Sequence, residues 1–160
     1  HIEFARGGPD GSSMPLPAPL GYTYSLGRLS DDLLSRASIL YVWVTPEQSR
    51  AKNVSRTDPN DHGSILNHGV PHKVMMGDYG CDDIEYLLTA LGDGTTVPIT
   101  SATTGHLFRV PLARVDNRAD LTTFARAATS SWRKEDVQAL LGALSGGFRA
   151  LWEARSKLSS

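Results

Sequence analysis

One cysteine, Cys81, is all this chain carries, so no intrachain disulfide can form and a reducing compartment is the simpler setting. Long apolar runs are missing too. Nothing approaches the roughly 20 residues that a bilayer-spanning helix needs, and the N-terminus lacks the charged-then-apolar layout of a signal peptide. These absences predict a cytoplasmic protein with no membrane partner. An excess of either charge is also missing: Lys plus Arg number 16 and Asp plus Glu 17. That balance removes the basic field on which nucleic-acid binding relies, so no nucleic-acid partner is expected.

What is present suits a single α/β domain over residues 1–160, 40% hydrophobic and 21% charged. Residues 2–5, Ile2-Glu3-Phe4-Ala5, read as a buried strand already in mid-flow, and His1 is not a natural start. The expectation is that the chain continues a longer domain. Residues 6–27 form a long loop in which Gly7, Gly8, Pro9, Gly11, Pro15, Pro17 and Pro19 oppose regular structure over most of its length. Tyr22 and Tyr24 near its end imply that it packs onto something. Ser30 can cap a short helix over 31–37 that opens with Asp31 and Asp32.

Residues 38–44 are continuously apolar, the pattern of a strand covered on both faces in the middle of a parallel sheet. Thr45-Pro46-Glu47-Gln48 follows as a capping box that starts a helix to about residue 54 or 56, one half of a βαβ unit. Residues 57–80 read as a lid-like region, polar at first and with a short helix from Pro71. A helix over 82–91 places Ile84, Leu87, Leu88 and Leu91 on one face, with Gly92 as its stop. Residues 95–100 and 106–115 predict a β-hairpin whose second arm, carrying Pro111, has an edge in its first half. A final helix over 132–157 aligns Val137, Leu140, Leu141, Leu144, Phe148, Leu151 and Trp152 as its core stripe, with Trp132 and Trp152 as anchors. Gly142, Gly146 and Gly147 either weaken that helix or allow close packing. The fold class is therefore α/β: a partial doubly wound, mainly parallel sheet with flanking helices and an inserted β-hairpin.

This order of elements resembles the C-terminal half of the P-loop kinases, the nucleoside and nucleoside-monophosphate kinases among them. The resemblance rests on layout: Glu3 and Arg6 on the first strand, the long loop, the strand at 39–44, and a helix bearing Arg50, Lys52 and Arg56. It implies a nucleotide-dependent phosphotransferase acting on a small-molecule or nucleotide substrate, with ATP and Mg2+ as cofactors if an upstream half is present. The motif that would make it specific, G-x-x-x-x-G-K-[ST], is absent. Backbone N–H groups of that loop, its lysine and a helix N-terminus are what hold a triphosphate. The chain alone is therefore expected to bind no cofactor and to be inactive. Two alternatives stand beside this reading: a non-catalytic interaction module, and a remnant that homodimerises through an open sheet edge.

Candidate site residues each carry two readings. Glu3 and Arg6 are either the catalytic pair at the acceptor or a structural ion pair. Arg50, Lys52 and Arg56 either neutralise phosphates of a bound cofactor or form a solvated helix face. Asp116 and Asn117, at the C-terminal end of a strand, either meet the cofactor or make a turn, and the turn is favoured. Asp82 and Asp83 most simply complement the helix start that follows them, with a magnesium role as the alternative. His62, His68, His72 and Cys81 fit no common zinc spacing, so no metal site is expected. Acidic neighbours argue against Cys81 as a nucleophile.

Overall fold

The computed structural model describes Ile2, residues 5–55 and residues 69–158. The elements are α1 (Gly21–Leu26), α2 (Asp31–Arg36), β1 (Ile39–Trp43), α3 (Pro46–Ser55), α4 (His72–Asp78) and α5 (Ile84–Tyr86), which widens into a π-type turn over Leu87–Leu91. Next come β2 (Thr96–Thr100) and β3 (Leu107–Asp116), then two 3-10 turns (Thr123–Arg126 and Thr129–Ser131), then α6 (Lys134–Leu158). The α/β class holds. Among the described residues no helix is long and apolar enough to cross a membrane.

Three strands of the described residues form one mixed sheet in the order β1-β3-β2. The central strand changes partner halfway along. Its first half pairs antiparallel with β2, Leu107 opposite Thr100 and Pro111 opposite Thr96. Its second half pairs parallel with β1, Leu112 opposite Ile39 and Asp116 opposite Trp43. Pro111 sits fully buried at the changeover, where a residue lacking an N–H interrupts neither ladder. The very next N–H, that of Leu112, reaches back to the Thr95 carbonyl at 2.9 Å.

One expectation about strands needs correction, and another falls largely outside the described residues. Among the described residues β1 is not a central strand covered on both faces: it lies at the edge of their sheet, and Val42 is 49% exposed. An unbroken apolar run marks double coverage only when both faces have a helix on them, and here α6 packs on one. Ile2 and Ala5 belong to no strand, and Ile2 is exposed. Glu3 and Phe4, which would form the rest of that strand, lie outside the described residues.

Under β2 and β3, Val97, Ile99, Val110 and Leu112 share one face of the sheet and close onto Leu34, Ile84 and Leu87. Burying such side chains contributes roughly 1.5–3 kcal/mol each. Leu91 of the expected helical face is exposed, because the wider turn at 87–91 rotates it away from Leu87 and Leu88. Part of the 6–27 loop is helical, as α1, and the rest is fastened down. Gly8 bridges to Cys81, its N–H donating to the Cys81 carbonyl at 2.9 Å, and Asp10 N–H donates to the Met76 carbonyl at 3.0 Å. A side chain on Gly7 would meet the backbone of Asp78 and Cys81, which is why glycine stands at this crossing.

The other face of the sheet holds α6, and the expected stripe is right only in part: Val137, Leu140 and Leu144 are half-buried and Leu151 is buried, but the other three residues are not. The helix buries Gly147, Leu151 and Ala154, whereas Leu141, Phe148 and Trp152 are 56%, 58% and 75% exposed. A Cβ on Gly147 would stand 2.8 Å from Leu40 Cδ1 and 3.0 Å from Val115 Cγ2. Close approach selects Gly147 and Ala154 beside Leu151 on the inner side, while Phe148 and Trp152 turn outward. The helix runs unbroken through Gly146 and Gly147. Trp132 precedes it and packs edge-on against Phe124, ring centroids 5.3 Å apart.

Candidate functional site

The two parallel strands end together, and the turns that leave them are built by short-range polar contacts. The box read from the sequence forms reciprocally: Thr45 N–H donates to Gln48 Oε1 at 3.1 Å and Gln48 N–H to Thr45 Oγ1 at 3.2 Å. The Gln48 amide also donates to the Arg118 carbonyl at 2.9 Å, tying the start of α3 to the turn after β3. That turn is organised by buried Asn117. Its N–H donates to the Trp43 carbonyl at 2.8 Å, and its Oδ1 accepts from Leu121 N–H at 2.7 Å.

Beside these turns lies a cavity of about 710 Å3. Val42 and Val44 extend from β1 along it, Ser49, Lys52 and Asn53 come from α3, and Asn117, Thr122, Thr123 and Arg126 come from the segment after β3. Ala5, Val70, Met75 and Tyr79 complete the described wall. Asn53 braces it, its amide exchanging two hydrogen bonds with the backbone of Val70 at 2.7 and 2.8 Å. Lys52 and Arg126 line the cavity, and no carboxylate does among the described residues. Asp120 stands just behind, 2.5 Å from Lys52 Nζ. Its carboxyl is held below the ordinary value by the Lys52 hydrogen bond and then by that of Thr123.

A second cavity of about 380 Å3 shares Ala5, Val42, Val44, Ser49 and Tyr79 with the first. Its own residues include Arg6, Tyr22, Tyr41, Trp43, Cys81 and Asp82. The Tyr41 hydroxyl donates to Asp82 Oδ2 at 2.7 Å. Burial, and then the Asp82 charge, push the Tyr41 hydroxyl far above its ordinary pKa, which makes it a fixed donor. Trp43 carries the guanidinium carbons of Arg114 and Arg118 at 4.9 and 4.5 Å from its ring centre. Two basic residues thus flank this tryptophan.

Of the residues singled out from sequence, the structure brings Lys52 and Asn117 to the larger cavity and Arg6 to the smaller one. Arg50 pairs with Glu47 at 3.2 Å and lines neither. Asp116 is held by Arg118 at 2.7 Å, and that guanidinium pulls its carboxyl down to about 2. Glu3 and Arg56 lie outside the described residues, as do His62 and His68. His72 is exposed at the start of α4, and among the described residues no group of three His, Cys, Asp or Glu side chains is placed to hold a metal. Asp82 complements the following helix as expected, accepting from Ile84 N–H at 3.0 Å, but Asp83 turns away from it toward α1.

Sequence reasoning missed Arg126, Thr122, Thr123 and the Tyr41–Asp82 contact. The first three lie in the irregular stretch between β3 and α6, which carries no periodic signal, and the last joins residues 41 positions apart. No family model, no curated protein and no solved structure matches the chain.

Proposed function

We propose that this chain is the acceptor-side part of a nucleotide-dependent, kinase-like phosphotransferase of doubly wound type, taking a phosphate-bearing small molecule in the larger cavity. One observation carries the reading: that cavity lies at the C-terminal ends of the parallel pair, where open α/β sheets bind ligands, and its charged lining is cationic, Lys52 and Arg126. Hydroxyls of Ser49, Thr122 and Thr123 add neutral partners for phosphate oxygens. Arg6, in the adjoining cavity, is within the same cleft system and would serve the reacting end of the acceptor.

The residues of this chain do not fit Mg-ATP. No G-x-x-x-x-G-K-[ST] loop supplies backbone donors for a triphosphate, and no carboxylate among the described residues lines the larger cavity to hold magnesium. The chain by itself is therefore a binder rather than a catalyst. The layout also departs from the kinases in β2, whose antiparallel pairing is no standard part of that family.

Titration calorimetry tests this. A nucleoside monophosphate should bind and the matching unphosphorylated nucleoside should not. Lys52→Met and Arg126→Met should each weaken binding by about tenfold, the worth of one charged hydrogen bond. Mg-ATP should bind no tighter than millimolar. Equal binding of nucleoside and monophosphate, or micromolar binding of Mg-ATP, contradicts the proposal.

A further inference from the structure

The outward face of α6 has a regular pattern. Leu141, Ser145, Phe148 and Trp152 recur at intervals of four, three and four, and at 3.6 residues per turn they fall within about 60° of one another. That spacing is the one by which helices pack on other helices. The sheet-facing residues Gly147, Leu151 and Ala154 lie on a different side, so the sheet cannot use this stripe. A tryptophan that is 75% exposed, in line with a phenylalanine and a leucine more than half exposed, is a costly surface for a monomer.

We propose that this stripe is the interface of a homodimer, in which α6 packs antiparallel against α6 of a second copy across a two-fold axis near Gly146 and Gly147. Antiparallel pairing about that point sets Leu141 against the partner's Trp152 and Ser145 against the partner's Phe148. Each layer then combines one aromatic ring with one smaller side chain. Parallel pairing would stack Trp152 on its own copy and Ser145 on its own copy, leaving one layer crowded and one empty.

Charge placement favours the same arrangement. Antiparallel helices oppose their dipoles. Arg149, beside the stripe, comes opposite the partner's Gly142, and nothing lies within 4 Å of a Cβ built there. Lys134, at the N-terminal end of the stripe, meets the carbonyl end of the partner helix.

The area fits a weak association. Leu141, Phe148 and Trp152 together expose roughly 400 Å2 per copy. Doubled and joined by their neighbours, they reach the lower range of about 1,000–1,200 Å2 at which transient dimers form. This surface is separate from the cleft of the proposed phosphate site, so the two proposals stand or fall independently.

Sedimentation velocity of the intact chain over a concentration series reads the association directly. The expected result is a reversible monomer–dimer equilibrium. Trp152→Glu and Leu141→Glu should each weaken it at least tenfold while leaving the circular dichroism and unfolding midpoint in place, since both side chains are exposed. In a Cys81→Ser background, Gln138→Cys combined with Ser156→Cys should give a covalent dimer on mild oxidation, and Gln138→Cys alone should not. A monomer at every concentration, a dimer indifferent to both glutamates, or a covalent dimer from Gln138→Cys alone overturns the proposal.

Discussion

Asp83 accepts the backbone N–H of Tyr22 at 2.8 Å across 61 residues of chain. Leu20, at the cap position of α1, has no side chain to do this, so a buried aspartate from the far side of the loop caps that helix instead. Its second oxygen, Oδ2, has no hydrogen-bond partner among the described residues, and burial raises its carboxyl above the ordinary value. Asp83 thus joins the Gly8–Cys81 and Asp10–Met76 contacts in fastening the proline-rich loop.

Replacing it therefore separates two effects. Asp83→Ala leaves the Tyr22 N–H buried without an acceptor and should cost about 1–3 kcal/mol. Asp83→Asn keeps an acceptor and removes the charge, so it should cost less near neutral pH. A carboxyl whose pKa is raised in the fold contributes stability that is fully present below the unfolded value of 3.8 and lost as pH rises through the folded one. Urea unfolding across that range should show the wild type losing stability relative to Asp83→Asn as pH rises.

Neighbouring glycines of α6 should respond in opposite directions. Gly147→Ala puts a methyl group between Leu40 and Val115 and should destabilise by about 1–3 kcal/mol. Gly146→Ala meets nothing within 4 Å and should stabilise by up to about 1 kcal/mol, the helix-propensity gain. Thermal unfolding of the two single variants checks both signs, and a shared sign would mean that α6 is seated differently on the sheet.

Before β2, Asp93 accepts the N–H and hydroxyl groups of both Thr95 and Thr96 at 2.7–2.9 Å. Burial pushes its carboxyl up, but those four hydrogen bonds outweigh it and hold the carboxyl well below the ordinary value. A depressed carboxyl contributes stability above its unfolded pKa of 3.8 and loses it as pH falls through the folded value. Asp93→Ala should cost about 1 kcal/mol at neutral pH, with the gap from wild type closing on acidification, as acid-unfolding curves would show.

Much of this fold was legible where a residue's neighbours in sequence are its neighbours in space. The Thr45–Gln48 box, the Ser30 cap on α2 and the strands flanking 101–105 are all local, and each appears as read. Burial was less legible, because periodicity tells that a helix has an apolar face but not how closely the sheet approaches. On α6 the sheet comes so near that Gly147 and Ala154 take the inner side, and the aromatic residues that looked like core face out. The candidate site was half legible: Lys52 and Asn117 follow a strand and could be guessed, whereas Arg126 reaches the cavity only because the irregular segment after β3 folds back.

The phosphate site is most directly tested by mapping it. Amide correlation spectra of the labelled protein, titrated with a nucleoside monophosphate, should show shifts clustered at Ser49, Lys52, Asn117, Thr122, Thr123 and Arg126, the walls of the larger cavity. Spectra that stay still throughout the titration, or that move only at residues remote from the ends of β1 and β3, would contradict the account.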